Sequence, residues 1–157
     1  MNKILFPGTR YKKPNNSIKY IDNIPYYLLN PGKKKIIIYA HGNGCDIDDC
    51  KYMFDNDKTV LLFEYPGYSC YKGRTTSKQI NKDILKIANH VLKFYKPENI
   101  ILHGNSIGTG PCIYLNKILN ENKIYIDKLI AKSLYFNKIF DRQLHPICIY
   151  LFQGKME

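Results

Sequence analysis

Two short runs, Ile36-Ile37-Ile38-Tyr39-Ala40 and Ile100-Ile101-Leu102, are apolar at every position, and each ends in a glycine loop: His41-Gly42-Asn43-Gly44 and Gly104-Asn105-Ser106-Ile107-Gly108. A strand with one wet face alternates apolar and polar residues, so uninterrupted β-branched runs are expected where both faces of a sheet are covered. Between the two runs lies a pattern of another kind. Ile80, Ile84, Ile87, Val91 and Tyr95 recur at steps of three and four, one face of a helix. Thr76 and Gln79 have capping-box spacing at its start, and Pro97 stops it.

The rest of the chain repeats the alternation. NIPYYLLNPG (23–32) reads as a strand and turn, CDIDDCKYMF (45–54) as a short helix, and TVLLFEYPGY (59–68) as a strand closed by Pro-Gly. Ile107, Leu115, Ile118 and Leu119 mark the buried side of a helix after the second glycine loop, and residues 126–136 and 145–154 read as two further strands. This order predicts an α/β fold, a mostly parallel sheet with helices on both faces, in a single domain over 1–157.

The Gly104-x-Ser106-x-Gly108 spacing falls where a strand gives way to a helix, the setting of a nucleophile elbow. A turn that sharp leaves no room for side chains beside the serine, so glycine stands on both sides. Ser106 would then be presented at a helix N-terminus, where developing negative charge is stabilised. The competing expectation is a helix entry with Ser106 as N-cap. The loop at His41 to Gly44 follows an earlier buried strand. That is the place from which a second backbone donor reaches an oxyanion, so the donors expected are the N–H groups of Asn43 and Ile107. Gly42 and Gly44 would let this backbone approach closely, and His41 would order it. The dinucleotide fingerprint fails at Ile47 and no P-loop lysine follows a glycine loop. No cofactor or metal is expected.

Together HGNG (41–44), EYPGYSCYKG (64–73) and PENIILHGNSIGTGP (97–111) resemble the α/β-hydrolase superfamily. They are most similar to its small intracellular branch, which includes serine thioesterases that remove palmitate from proteins. That resemblance implies hydrolysis of an acyl ester or thioester through an acyl-enzyme on Ser106, with a small acyl ester or an acylated protein as substrate. The branch commonly has D-Y-x-G-Y-G-x-S-x-G in the second stretch; Glu64, Ser69 and Tyr71 stand here for the Asp, the second Gly and the Ser. In the family the catalytic acid follows a late strand and the histidine comes last. Glu157 aligns with the acid and ends the chain. The domain is therefore expected to be incomplete at the C-terminus, without the last strand, the last helix and the histidine.

Four histidines could replace the missing one. His90 is expected to face outward with the lysine side of its helix and His103 to point away from Ser106. His145 is expected at the far end of its strand from Glu157, and Asp141 is a further candidate acid. The alternative to an enzyme is a catalytically impaired hydrolase-fold protein that binds a partner or acyl ligand. Lys+Arg of 24 against Asp+Glu of 13 gives a net charge of +11, but the lysines are scattered and no nucleic-acid motif is present. Lys78, Lys82 and Lys86 lie four apart and offer at most a weak contact with an anionic membrane. Five cysteines without a CxxC pair suggest a reducing, cytoplasmic setting.

Overall fold

A computed structural model describes residues 6–133 and the backbone of residues 148–153. Seven strands form one sheet: β1 (Lys19–Ile21), β2 (Ile24–Leu29), β3 (Ile36–Ala40), β4 (Thr59–Phe63), β5 (Ile100–Asn105), β6 (Lys128–Ser133) and β7 (Cys148–Gln153). Their spatial order is β1-β2-β4-β3-β5-β6-β7. The four central strands run parallel, as the apolar runs predict. β1, β2 and β7 pair antiparallel at the two sides.

Three helices connect the parallel strands: α1 (Ile47–Cys50), α2 (Ser77–Val91) and α3 (Thr109–Glu121). The crossover from β3 to β4 runs one way along the sheet, whereas those from β4 to β5 and β5 to β6 run the other way. Right-handed connections then put α1 on one face and both long helices on the other. The side chains agree. Ile36, Ile38, Leu61, Phe63, Ile100 and Leu102 bury one sheet face against Ile80, Ile84, Ile87, Val91, Cys112 and Leu115. On the opposite face a smaller cluster of Tyr27, Tyr39, Val60 and Leu62 packs on Ile47 and Cys50 of α1.

Both helix starts read from the sequence are present. Asp46 caps α1 through the amides of Asp48 and Asp49 in a full capping box, and Lys12 pairs with its carboxylate at 2.6 Å. Thr76 caps α2 by accepting from the Gln79 amide, but α2 closes at Val91 and Pro97 opens a separate 3-10 turn. The β1–β2 hairpin was not expected. Its first strand is only Lys-Tyr-Ile, with Ile21 alone buried, and the chain reverses at Asp22, whose φ is +53°. Among the described residues no helix is long and apolar enough to cross a membrane.

Candidate active site

The strand order reverses at β3 and β5, and open parallel sheets bind ligands outside the carboxyl ends of strands at such a switch point. Here the register pairs Ala40 with Gly104, so the two glycine loops leave the sheet side by side. The close approach is direct: a Cβ built on Gly42 would lie 3.6 Å from the Ser106 Cβ and 3.2 Å from the Asn105 side-chain nitrogen.

β5 ends at Asn105, Ser106–Gly108 make one 3-10 turn, and α3 follows at once. Ser106 takes φ +51°, a left-handed conformation costly for a side chain with a Cβ and often found where function demands it. Its neighbours must be glycine for steric reasons. A Cβ on Gly104 would stand 2.5 Å from the Gly108 carbonyl oxygen and 2.7 Å from the Thr109 Cα. One on Gly108 would meet the carbonyl carbon of Ala40 at 2.6 Å and the His41 carbonyl oxygen at 2.7 Å. The N-cap expectation is not met. The cap position of α3 is Gly108, and neither turn start carries a side-chain cap. The turn is tightened instead by Thr109 Oγ1, which donates to the Ser106 carbonyl at 2.7 Å. Ser106 is half-buried and lies at the entry to a helix of 13 residues.

Across from it, Asn43 and Gly44 are exposed, and Gly44 has φ +76°. The Asn43 side chain accepts a hydrogen bond from the Tyr68 hydroxyl at 2.8 Å. His41 is 1% exposed, with Nδ1 2.9 Å from the Gly42 carbonyl oxygen and Nε2 2.8 Å from Glu64 Oε1. A carbonyl oxygen only accepts, so Nδ1 donates, and the second nitrogen is taken by the carboxylate. The ring also stacks on Tyr65, centroids 4.0 Å apart. Ile107 packs its side chain on the main core cluster and carries its amide into the turn after Ser106.

The other histidines lie elsewhere. His103 projects to the opposite sheet face, its ring edge-on to Tyr39 at 5.0 Å, and burial with the nearby Lys132 holds its pKa down to about 4. His90 does not face outward as expected. It is half-buried between Tyr26 and Phe94, with ring centroids at 6.5 and 5.4 Å, because β2 extends the sheet beneath that side of α2. Asp141, His145 and Glu157 fall outside the described residues. β7 runs antiparallel to β6, with Cys148 opposite Ser133 and Gln153 opposite Lys128. The described strand leading toward Glu157 thus runs away from the end of the sheet that carries Ser106.

Sequence reasoning did not single out Glu64, Tyr65 and Tyr68 as parts of this site. A signal existed for Glu64. A carboxylate directly after four buried apolar residues must find a partner, and the buried histidine of the neighbouring strand end is that partner.

This architecture is that of the α/β-hydrolases. An alpha-beta hydrolase from Vibrio vulnificus superposes with a TM-score of 0.58 at 20% identity, over 74% of this chain and 41% of that one. In sequence, the alpha/beta hydrolase domain-containing protein 17C of Xenopus tropicalis is 32% identical over 98 residues, which are 57% of this chain and 31% of that protein. An uncharacterized protein of Acanthamoeba polyphaga mimivirus is 32% identical over 138 residues, 82% of this chain and 45% of that protein. These likenesses support the α/β-hydrolase superfamily. No protein-family model matches the chain. The chain spans less than half the length of each of these relatives.

Proposed function

We propose that this chain is a serine hydrolase of acyl esters or thioesters that works through an acyl-enzyme on Ser106. The observation that carries the reading is the left-handed Ser106 at the end of β5, flanked by two glycines with no room for a Cβ and packed against Gly42. In the first step Ser106 Oγ bonds to the acyl carbon. The carbonyl oxygen becomes negative against the N–H groups of Asn43 and Ile107, and the bond to the alcohol or thiol breaks as that group takes the serine's proton. Water then attacks the acyl carbon, releasing the acid and restoring the serine. The likeness to an alpha/beta hydrolase domain-containing protein, together with the HGNG and GNSIG motifs, supports acyl chemistry. An acylated protein is the substrate class favoured by the motif resemblance, in a cytosolic setting.

A serine is a weak nucleophile until a base takes its proton. Among the described residues His41 has both ring nitrogens engaged, and His90 and His103 face other parts of the fold. This favours a second reading, a hydrolase-fold protein that binds an acyl ligand without turning it over. In a well-studied serine protease, losing the histidine costs about 10⁶ in kcat and leaves roughly 10³–10⁴ over water. Hydrolysis of p-nitrophenyl butyrate and of a palmitoyl thioester by the parent and Ser106→Ala separates the two. Slow turnover that disappears with the serine supports the hydrolase. Turnover equal in both proteins sinks it, and acyl-ligand binding without turnover favours the second reading.

A further inference from the structure

The loop opposite Ser106 has almost nothing of its own to hold it. Two of its four residues are glycines, and around Gly44 nothing lies within 4 Å of where a Cβ would be. Its conformation must be set from outside, and one segment does this: residues 64–68, directly after β4.

Glu64 is fully buried. Its Oε1 lies 2.8 Å from His41 Nε2 and accepts from the Tyr65 amide at 3.0 Å, and its Oε2 accepts from the Ile47 amide at 3.2 Å. One carboxylate thereby joins the loop, the end of β4 and the start of α1. Tyr65 donates its hydroxyl to the His41 carbonyl at 2.8 Å while its ring stacks on the imidazole. Tyr68, also fully buried, donates to Asn43 Oδ1. Buried polar groups that were only filling space would be replaced by apolar ones without loss; their distinct capacity is to fix one geometry.

We propose that Glu64 and Tyr68 are positioning residues of the acyl-transfer site: through His41 and Asn43 they hold the 41–43 loop so that the Asn43 N–H faces the oxygen that turns negative beside Ser106. The proposal rests on the serine-hydrolase reading above. It makes the family's departure at Glu64 functional, because the carboxylate is kept and its work is to hold His41.

The test uses the full chain and the rate at which a fluorophosphonate, whose P=O oxygen occupies the oxyanion position, attaches to Ser106, read by intact mass beside the melting temperature. A misplacement of about 1 Å at such a site can cost 10²-fold. Tyr68→Phe, which removes one oxygen, should slow labelling by about tenfold or more while the protein remains folded. Glu64→Gln should slow it at least as much, and Glu64→Asp should retain more of the rate than Glu64→Gln. Ile87→Val in the core of α2 should lower the melting temperature and leave the rate unchanged. If the parent is not labelled at Ser106, the serine reading falls and this proposal with it. If the parent is labelled there and both Tyr68→Phe and Glu64→Gln keep the parent rate, positioning is refuted and the serine reading stands. Slowing only in step with lost stability, as in Ile87→Val, also refutes it. Should Glu64→Gln not fold, Tyr68→Phe decides alone.

Discussion

Two glycines two residues apart, Gly108 and Gly110, should respond in opposite ways to the same added methyl group. In Gly108→Ala the new carbon would lie 2.6 Å from the Ala40 carbonyl carbon and 2.7 Å from the His41 carbonyl oxygen, where ordinary contact begins near 3.4 Å. Neither neighbour can rotate aside. Ala40 is held in register with Gly104, and the His41 carbonyl is bonded by Tyr65. Overpacking typically costs 1–3 kcal/mol, and against fixed backbone the upper end applies, about 3 kcal/mol. For a domain of this size that is a fall in melting temperature of roughly 6–12 °C. Gly110 sits in the first turn of α3 with nothing within 4 Å of a Cβ. Alanine there exchanges the poorest ordinary helix former for the best, a gain of about 0.5–1 kcal/mol and a rise of roughly 1–4 °C. Thermal unfolding followed by far-ultraviolet circular dichroism reads both, since the chain has no tryptophan. Melting temperatures for the two variants within 2 °C of each other would refute the elbow's packing against β3.

Ser69 has φ +41°, a left-handed conformation that glycine adopts without strain, so Ser69→Gly should raise stability by up to about 1 kcal/mol. An unchanged or lower urea midpoint would count against strain there. His103 binds a proton near its ordinary pKa only when unfolded, and near 4 when folded. Its contribution to stability is therefore complete above pH 6.5, falls as the pH drops toward 4, and levels off below that. Because the ring keeps some solvent access, the loss between pH 7.5 and pH 5 should be about 1 kcal/mol, and His103→Gln should remove that part of the pH dependence. Equal pH profiles for the two proteins would contradict the burial argument.

What could be read from the sequence was what local pattern carries. The apolar runs at 36–40 and 100–102 announce doubly covered strands, the steps of three and four from Ile80 announce α2, and the glycines around Ser106 announce a turn too tight for side chains. The illegible parts depend on distant partners. β1 is too short for periodicity to register. The direction of β7 is a matter of pairing, which no pattern within 145–154 encodes. His90 looked exposed because a helical wheel cannot know that β2 lies under it. The His41–Glu64 pair joins residues 23 apart in sequence, and only the register of β3 beside β4 brings their strand ends together.

The central claim is that Ser106 is the nucleophile of this fold, and peptide mapping after long exposure to a fluorophosphonate tests it most directly. The account predicts a single slow adduct on the peptide containing Ser106, absent from Ser106→Ala and from the urea-unfolded chain. An adduct spread over tyrosines and lysines, or one equally present in Ser106→Ala, would contradict it.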